Sequence, residues 1–363
     1  MKEKEGLYRP FILYPRQSIS QVRSCVLENF GQIKYELPFI NALCVNIPHE
    51  KIKNIKVNKR VAAVTEDIQV SKLECTGKQS AQTGDVCPFP DVPAKERVSI
   101  AVIDTGVAPH YDLIFPCNRI RYFEDFVNHR PLPYDDDGHG THVAGIALGN
   151  GYLCHTCHGT APEADLIALK ALDMDGNGNV SDILAAMQWI FLHHILYNIK
   201  VLNLSLGVLS TKKNEIDPLL LGAEALVHAG VCVVAAAGNS GPGKKTVTSP
   251  GISPLVLTVG ACDEEGSIPD FSSRGPASYG IHKPDIVAPG VDIRSLSAEN
   301  PKEYTIQSGT SMSAPFAAGL AARYCAAHPK AAPHEVKSAI LHLARPIRGA
   351  DLNAQGHGAL LCR

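Results

Sequence analysis

Four polar residues of this chain stand where they could perform nucleophilic chemistry at a carbonyl group. Asp104 and Asn239 each follow an apolar run, whereas His139 and Ser311 each follow a glycine-containing turn. A serine hydroxyl is a weak nucleophile that needs a base to take its proton and a third group to orient that base. An asparagine amide can donate to the oxyanion formed during acyl transfer. The four residues therefore predict a triad of Asp104, His139 and Ser311 with Asn239 as the oxyanion donor.

Ser311 taken alone has two interpretations. It precedes the Ala-rich run 316–322, which is typical of a buried helix, so it would lie in a first helical turn. Free backbone N–H groups and the positive end of the helix dipole favour negative charge there. However, a serine at a helix start more commonly caps the helix. The companion residues are what favour the catalytic interpretation.

The elements that must position these residues begin at Arg97, where apolar runs alternate with helical stretches. Continuous apolar runs predict buried parallel strands, here 98–103, 165–170, 201–205, 231–236 and 255–259. Helices are predicted at 181–198 and 218–229. We predict an α/β domain with a doubly wound, mostly parallel sheet and helices on both faces. Its ligand groups should lie at strand ends, where Asp104, Ser205 and Asn239 fall.

A separate unit precedes this domain. Residues 8–71 predict strand, helix, strand, strand, helix and strand, with the last strand over 61–68. That order is the split βαβ pattern of a small ferredoxin-like α+β domain. Residues 72–96 are rich in Gly and Pro and predict an exposed connection. On pattern alone, the front unit could also be an unrelated small domain.

The composition is that of an ordinary globular protein. The 363 residues are 45% hydrophobic and 19% charged, with a formal net charge of −2 and 11 Cys. This balance predicts no nucleic-acid or membrane partner, and no apolar run is long enough to span a bilayer. Scattered cysteines favour a reducing compartment. With no secretory signal visible, we expect a cytoplasmic protein, or a secreted one if a leader had been trimmed.

Three segments carry a family resemblance: 102–106 (VIDTG), 139–145 (HGTHVAG) and 309–315 (GTSMSAP). They resemble the catalytic signatures of the subtilisin-like serine proteases, in the chain order Asp, His, Ser known for subtilisin. The resemblance runs from about residue 73 to the end of the chain. Within the family, the chain resembles the intracellular bacterial members. It implies a serine endopeptidase that needs no cofactor, and gives His142 a helix-packing role.

The resemblance also implies a substrate site. The family's oxyanion asparagine falls on Asn239, and its substrate-binding segments fall on Ser205, Leu206, Gly207, Ala237 and Gly238. Such a segment would pair with an extended polypeptide substrate by strand addition.

The front unit resembles the family's inhibitory prodomain, an intramolecular chaperone. This implies a prodomain over residues 1–73 and a catalytic domain over 74–363, joined at a bond that the enzyme cuts between Leu73 and Glu74. The enzyme should then accept an apolar residue before the scissile bond, with Val70 in a second apolar pocket. Three alternatives remain: an uncut accessory domain, a protease held inactive by a retained prodomain, and a non-catalytic pseudoprotease.

Several polar clusters have open interpretations. The segment 154–158 (CHTCH) matches a surface loop, a zinc or copper site, or covalent haem attachment. Asp112 matches a calcium ligand of secreted relatives, but the loop 148–154 supplies few carboxylates, so calcium is compatible rather than expected. Residues 134–137 (YDDD) predict a solvated acidic turn. The segment 173–179 resembles a calcium-binding loop without its terminal Glu, and the family resemblance makes it the edge loop that pairs with substrate.

Overall fold

A computed structural model describes residues 8–75, 97–209, 216–277 and 280–361 of the chain. Most of the predicted connection at 72–96 lies outside the described residues. The described residues form a small front unit and a larger α/β unit, and residues 69–75 after the front unit pair with the larger one.

The front unit is a four-stranded antiparallel sheet in the order β2-β3-β1-β4. Its elements are β1 (Tyr8–Pro15), α1 (Ile19–Glu28), β2 (Gln32–Leu37), β3 (Ala42–Pro48), α2 (Ile52–Lys56) and β4 (Val61–Glu66), with short 3₁₀ turns at Pro38–Ile40 and His49–Lys51. Helix α1 buries Val22, Cys25 and Val26, which share one helix face, against one side of the sheet. This gives the unit a hydrophobic core of its own.

The remaining elements, in chain order, are β5 (Gln69–Lys72), β6 (Ser99–Asp104), α3 (Tyr111–Ile114), β7 (Ile120–Asp125), α4 (His139–Leu148), β8 (Asp165–Lys170), β9 (Asn177–Asn179), α5 (Val180–His193), β10 (Ile199–Leu204), β11 (Leu206–Gly207), α6 (Pro218–His228), β12 (Cys232–Ala236), β13 (Leu257–Cys262), β14 (Ile286–Pro289), β15 (Ile293–Leu296), β16 (Tyr304–Gln307), α7 (Thr310–Ala327), α8 (Pro333–Leu343) and α9 (Leu352–Gln355). They include the five predicted strands, β6, β8, β10, β12 and β13, and the two predicted helices, α5 and α6.

Seven of these strands form a parallel sheet in the order β14-β13-β12-β10-β6-β8-β7. Helices α4, α7 and α8 share a core with one face of the sheet, and α5 and α6 share a core with the other. The predicted doubly wound α/β fold is confirmed. The sheet reversal brings the carboxyl ends of β6, β10 and β12 together, and these ends carry Asp104, Ser205 and Asn239.

Helices α4 and α7 pack unusually closely because small residues line both. A Cβ added to Gly319 would lie 2.0 Å from Thr160 Oγ1 and 2.6 Å from the Ala147 carbonyl oxygen. Only glycine fits at this position. The close approach matters because α4 begins at His139 and α7 begins one residue before Ser311.

The front unit packs its second face on the α/β unit. Ile12, Tyr14 and Leu37 join the core formed by α5 and α6, and the Phe39 ring lies 5.8 Å from the Phe191 ring. Burial on both faces explains why β1 and β3 are apolar almost throughout.

Some predicted boundaries are wrong. The strand expected at 61–68 ends at Glu66, and the chain then forms β5, which leaves the front sheet. The strand expected at 255–259 begins two residues later, since Leu255 remains 38% exposed. None of the described helices combines the length and apolarity that crossing a membrane would require.

Candidate active site

Asp104 and His139 form a buried pair at the carboxyl end of β6. The His139 Nδ1 atom lies 2.7 Å from Asp104 Oδ1, and the two side chains are 0% and 1% exposed. An ionised carboxylate can only accept, so Nδ1 carries the proton and Nε2 keeps its lone pair. His139 Nε2 is buried and has no hydrogen-bond partner among the described residues. The pair therefore presents a base with a fixed tautomer.

Electrostatics favour proton uptake by His139. Burial opposes a charge on the imidazole, but the negative charge and hydrogen bond of Asp104 outweigh it, so the pKa of His139 lies above its usual value. His142, one turn further along α4, differs. Burial lowers its pKa to about 3, and its Nε2 atom lies 2.9 Å from the Ile293 carbonyl oxygen. The packing role predicted for His142 is confirmed.

Asp135 holds the start of α4 in place. Its carboxylate accepts hydrogen bonds of 2.7–3.2 Å from Thr105 Oγ1, the amides of Asp137, Gly138 and Thr141, and Thr141 Oγ1. Its neighbour Asp136 pairs with the fully buried Lys170 at 2.6 Å. The acidic turn predicted at 134–137 is therefore solvated only in part: Asp136 is exposed, whereas Tyr134, Asp135 and Asp137 are half-buried. These carboxylates accept hydrogen bonds from the free amides at the start of α4 and pair with a buried ammonium. A run of acidic residues in the sequence does not reveal either role.

Ser311 lies in the first turn of α7, whose amides have no intrahelical acceptor. Its hydroxyl donates to the Ser205 carbonyl oxygen at 2.8 Å, and the Ser205 hydroxyl donates to the Ser311 carbonyl oxygen at 2.9 Å. The N-cap is Gly309, so the capping interpretation of Ser311 is wrong. Gly309 has a φ of 147°, a conformation that glycine adopts readily.

Asn239 presents a free amide donor beside Ser311. Its Oδ1 atom accepts from the Thr310 amide at 3.0 Å and the Thr310 hydroxyl at 2.9 Å. This fixes the side chain and leaves Nδ2 buried with no hydrogen-bond partner among the described residues. An unpaired buried donor is costly in a resting protein, and an oxyanion would satisfy it. Sequence reasoning missed Thr310, although its place beside Ser311 could have prompted the question of what orients Asn239.

The chain's own segment 69–75 crosses this site as an extended strand. Strand β5 lies between β11 and β9 and is antiparallel to both, with Lys72 opposite Leu206 and Val70 opposite Gly178. Beyond β5, the Leu73 amide donates to the Ser205 carbonyl oxygen at 3.3 Å, and the Cys75 amide donates to the Ser308 carbonyl oxygen at 2.6 Å. Residues in the segments 205–207 and 173–179 thus pair with the chain's own strand β5, and their pairing with a substrate stays a prediction.

The Leu73–Glu74 peptide and the Asn239 amide both lie close to Gly309. A Cβ built on Gly309 would meet the Leu73 carbonyl oxygen at 2.5 Å, Asn239 Nδ2 at 3.0 Å and Glu74 Cα at 3.2 Å. These atoms thus surround one glycine. A larger residue at 309 would clash with both the peptide and the amide.

Ala237 and Gly238 do not pair with this segment. The Ala237 amide donates to the Val259 carbonyl oxygen at 2.9 Å, and the Gly238 amide donates to Thr310 Oγ1 at 3.1 Å. Their backbone groups thus serve the protein itself. Gly238 also has a φ of 113°, which turns the chain so that Asn239 faces Thr310.

Side chains of the crossing segment have defined surroundings. Val70 is 1% exposed within the core formed by α5 and α6, and Leu73 packs against the core formed by α4 and α7. Lys72 Nζ lies 2.8 and 2.7 Å from the two carboxylate oxygens of Asp137 and 2.9 Å from Glu74. Sequence reasoning missed Asp137 because it treated the acidic turn as exposed.

The residues around Asp112 do not fit a calcium site. Asp112 is fully buried, and its two carboxylate oxygens accept from the Leu153 amide at 3.0 Å and the Tyr304 hydroxyl at 2.7 Å. Calcium needs six to eight oxygen ligands, whereas this loop turns an amide N–H towards the carboxylate. Among the described residues, no cluster of three or more His, Cys, Asp or Glu is arranged to hold a metal ion.

Comparison with known proteins agrees with the geometry. The subtilase family model matches residues 95–358. The chain is similar to serine protease AprX of Bacillus subtilis (strain 168), with 36% identity over 85% of this chain and 73% of that protein. It is also similar to a thermostable alkaline protease of Halalkalibacterium halodurans, with 32% identity over 88% and 81%, and to a subtilisin of Bacillus sp. (strain TA39), with 37% over 68% and 61%. The chain belongs to the subtilase family and is a subtilisin-like serine endopeptidase.

Proposed function

We propose that the protein is made as a zymogen that cuts its own chain between Leu73 and Glu74. Ser311 attacks the peptide carbonyl while His139 takes its proton, and Asp104 stabilises the imidazolium that forms. Asn239 Nδ2 and the Ser311 amide hold the oxyanion. His139 then protonates the leaving amine, and water hydrolyses the acyl-enzyme.

The observation that carries this proposal is the path of residues 69–75. Their strand adds to β9 and β11 on one side of the scissile peptide, and the Cys75 amide is held by Ser308 on the other. A peptide that is held on both sides of its reactive bond has already lost the conformational and rotational freedom that a free substrate loses when it binds. The Leu73 carbonyl oxygen and the unpaired Asn239 Nδ2 atom also both lie beside Gly309.

The surroundings of residues 70–73 also indicate which side chains the enzyme should prefer in its substrates. Buried Val70 and packed Leu73 favour apolar residues immediately before the scissile bond and three positions earlier. Lys72 favours a basic residue between them, because the Asp137 carboxylate, itself only 8% exposed, is paired with its ammonium. The enzyme should therefore favour a basic residue followed by an apolar one.

Residues 1–73 are proposed to act as the prodomain of a catalytic domain at 74–363. Its contacts converge on the start of α5: Lys34 Nζ and Tyr35 OH bind the Asp182 carboxylate at 2.9 and 2.7 Å, and Asp67 Oδ1 accepts from the Ser181 amide at 2.9 Å. A carboxylate at a helix N-terminus is stabilised by the helix dipole. The prodomain thereby holds its own tail in the cleft and excludes other peptides.

Cutting in cis can be tested by following the loss of full-length chain at several protein concentrations. We expect a first-order rate that is independent of concentration, because nucleophile and scissile bond belong to one molecule. A rate that rises in proportion to concentration would mean that one molecule cuts another. The Ser311→Ala variant is the control for a contaminating protease.

The alternative is a protease held inactive by a prodomain that stays bound after cleavage, which the extensive contacts with α5 favour. A fluorophosphonate probe separates the two, because it labels only a reachable, activated Ser311. A released prodomain predicts labelling that appears with cleavage and separate peaks for the two fragments on size exclusion. Co-elution without labelling supports the retained complex.

A further inference from the structure

The loop between α4 and β8 carries two cysteines in a tight turn. The Cys157 amide donates to the Cys154 carbonyl oxygen at 2.9 Å, which closes a four-residue turn. Such a turn keeps its first and last Cα atoms within about 7 Å, inside the range that a disulfide requires. The two reduced sulfur atoms lie 2.7 Å apart. Oxidation of this pair therefore needs little backbone movement.

The two thiols are unequal. Cys157 is buried, and burial together with the Cys154 hydrogen bond raises its pKa to about 11. Burial also opposes ionisation of Cys154, but hydrogen bonds to Cys157 and Thr156, with the positive charge of Arg294, lower its pKa below the usual value. A more exposed thiol of low pKa beside a buried partner is the arrangement in which the first attacks and the second resolves.

A metal fits this loop poorly. His158 turns its Nδ1 atom towards the Gly159 carbonyl oxygen at 3.1 Å, and His155 is exposed. Within the part of the chain that the structure describes, these residues do not make a group of three ligands. The segment 154–158 (CHTCH) thus presents a pair of thiols. Among the described residues, it does not form the zinc or copper site, or the haem attachment site, that its sequence matches.

The loop is tied to both catalytic helices. The Leu153 amide binds the buried Asp112 carboxylate at 3.0 Å. Just past the cysteines, the Thr160 amide donates to the Ile146 carbonyl oxygen of α4 at 3.1 Å, and its hydroxyl donates to the Phe316 carbonyl oxygen of α7 at 2.9 Å. A change in the stiffness of this loop therefore affects how α4 packs on α7.

We propose that Cys154 and Cys157 form a thiol–disulfide exchange site that reacts with small-molecule disulfides and, when oxidised, stiffens the loop between α4 and β8, which contacts both catalytic helices. The Cys154 thiolate attacks one sulfur of the external disulfide, whose S–S bond breaks and releases one thiol. The Cys157 thiolate then attacks the Cys154 sulfur and releases the second thiol. Two protein thiols are oxidised, one disulfide is reduced, and both protons leave on the released thiols.

The chemistry is tested in the full-length Ser311→Ala chain, which cannot digest itself. The protein is treated with oxidised glutathione, alkylated at timed intervals, cut with trypsin and examined by mass spectrometry. We expect the peptide that contains residues 154–157 to lose two hydrogens, and Cys154 to react about tenfold faster than the exposed Cys117, because hydrogen bonds and the charge of Arg294 stabilise the Cys154 thiolate. The Cys157→Ser variant should trap glutathione on Cys154, and Cys154→Ser should leave Cys157 largely unmodified.

Equal reaction rates for Cys154 and Cys117 would overturn the proposal, as would a Cys157→Ser variant that traps no glutathione. Stoichiometric binding of added Zn²⁺ that protects the pair and is lost in Cys154→Ser would also overturn it. The stiffening is tested by heat inactivation of wild-type protease, which should be slower after oxidation in wild type and unchanged in Cys154→Ser. Identical inactivation rates in oxidised and reduced wild type would contradict the stiffening.

Discussion

Replacing Asn239 by Ala removes one oxyanion donor and the acceptor that Asn239 offers to Thr310. The side chain is small, and its only hydrogen bonds among the described residues are those that Oδ1 accepts from Thr310. Nδ2 lacks a partner in the resting site, so the interaction it makes is realised when the carbonyl oxygen becomes an anion. The loss should therefore fall on the transition state.

The expected size follows from that reasoning. Removing the equivalent donor in subtilisin costs about 2.7–4 kcal/mol of barrier, and we expect the same range here, a fall of roughly 10²–10³ in kcat. KM should change little, because a ground-state carbonyl is neutral. Asn239→Asp is the matched variant: it can still accept from Thr310 but places a negative charge beside the oxyanion, so its loss should be larger.

The assay has two parts. The first-order rate of self-processing is measured for each variant, followed by kcat and KM of the processed protein on a p-nitroanilide with the sequence of residues 70–73. Both rates should fall by a similar factor, because the same donor serves both reactions. A rise in KM with unchanged kcat would refute the reasoning, since it would make Asn239 a ground-state binding residue.

Three further predictions concern charge. Activity needs neutral His139, so it should fall as the pH drops through the raised pKa of His139. Asp104→Asn should shift this acid limb of the kcat/KM profile to lower pH. The same variant should reduce kcat by about 10⁴. Asp137→Asn should lower kcat/KM about 10- to 100-fold for substrates with Lys before the final residue, because a hydrogen bond to a charged group contributes about 1.5–3 kcal/mol, while the matched Ala substrate changes little. Asp182→Ala should raise the inhibition constant of the separate 1–73 fragment, measured by titration against processed enzyme, because Lys34 and Tyr35 lose their acceptor. An acid limb that does not shift in Asp104→Asn would contradict the first prediction. Equal losses on the Lys and Ala substrates in Asp137→Asn would contradict the second, and an unchanged inhibition constant with Asp182→Ala would contradict the third.

Local signals in the sequence identified the residues that carry chemistry and the strands that hold them. Asp104, at the end of a continuous apolar run, and His139, at a helix start, were predictable because such patterns depend on neighbouring residues. The doubly wound sheet followed from the alternation of those runs with helical stretches. Family resemblance then supplied the order and pairing of the catalytic residues.

What the sequence did not reveal depends on distant contacts. Thr310 orients Asn239 across 71 positions of chain, and Asp137 meets Lys72 across 65. The strand predicted at 61–68 runs past the end of β4, and β5 is not predicted as a strand, because periodicity does not show where a chain leaves one sheet and joins another. Asp135 looked exposed because acidic runs usually are, whereas its acceptor role depends on where α4 begins.

The most direct test of the account is the intact mass and N-terminal sequence of the purified wild-type chain beside Ser311→Ala. We expect a wild-type catalytic fragment that begins at Glu74, with a separate fragment ending at Leu73, and a Ser311→Ala chain that remains joined there. An active wild-type protein still intact from Met1, or the same cut in Ser311→Ala, would contradict it.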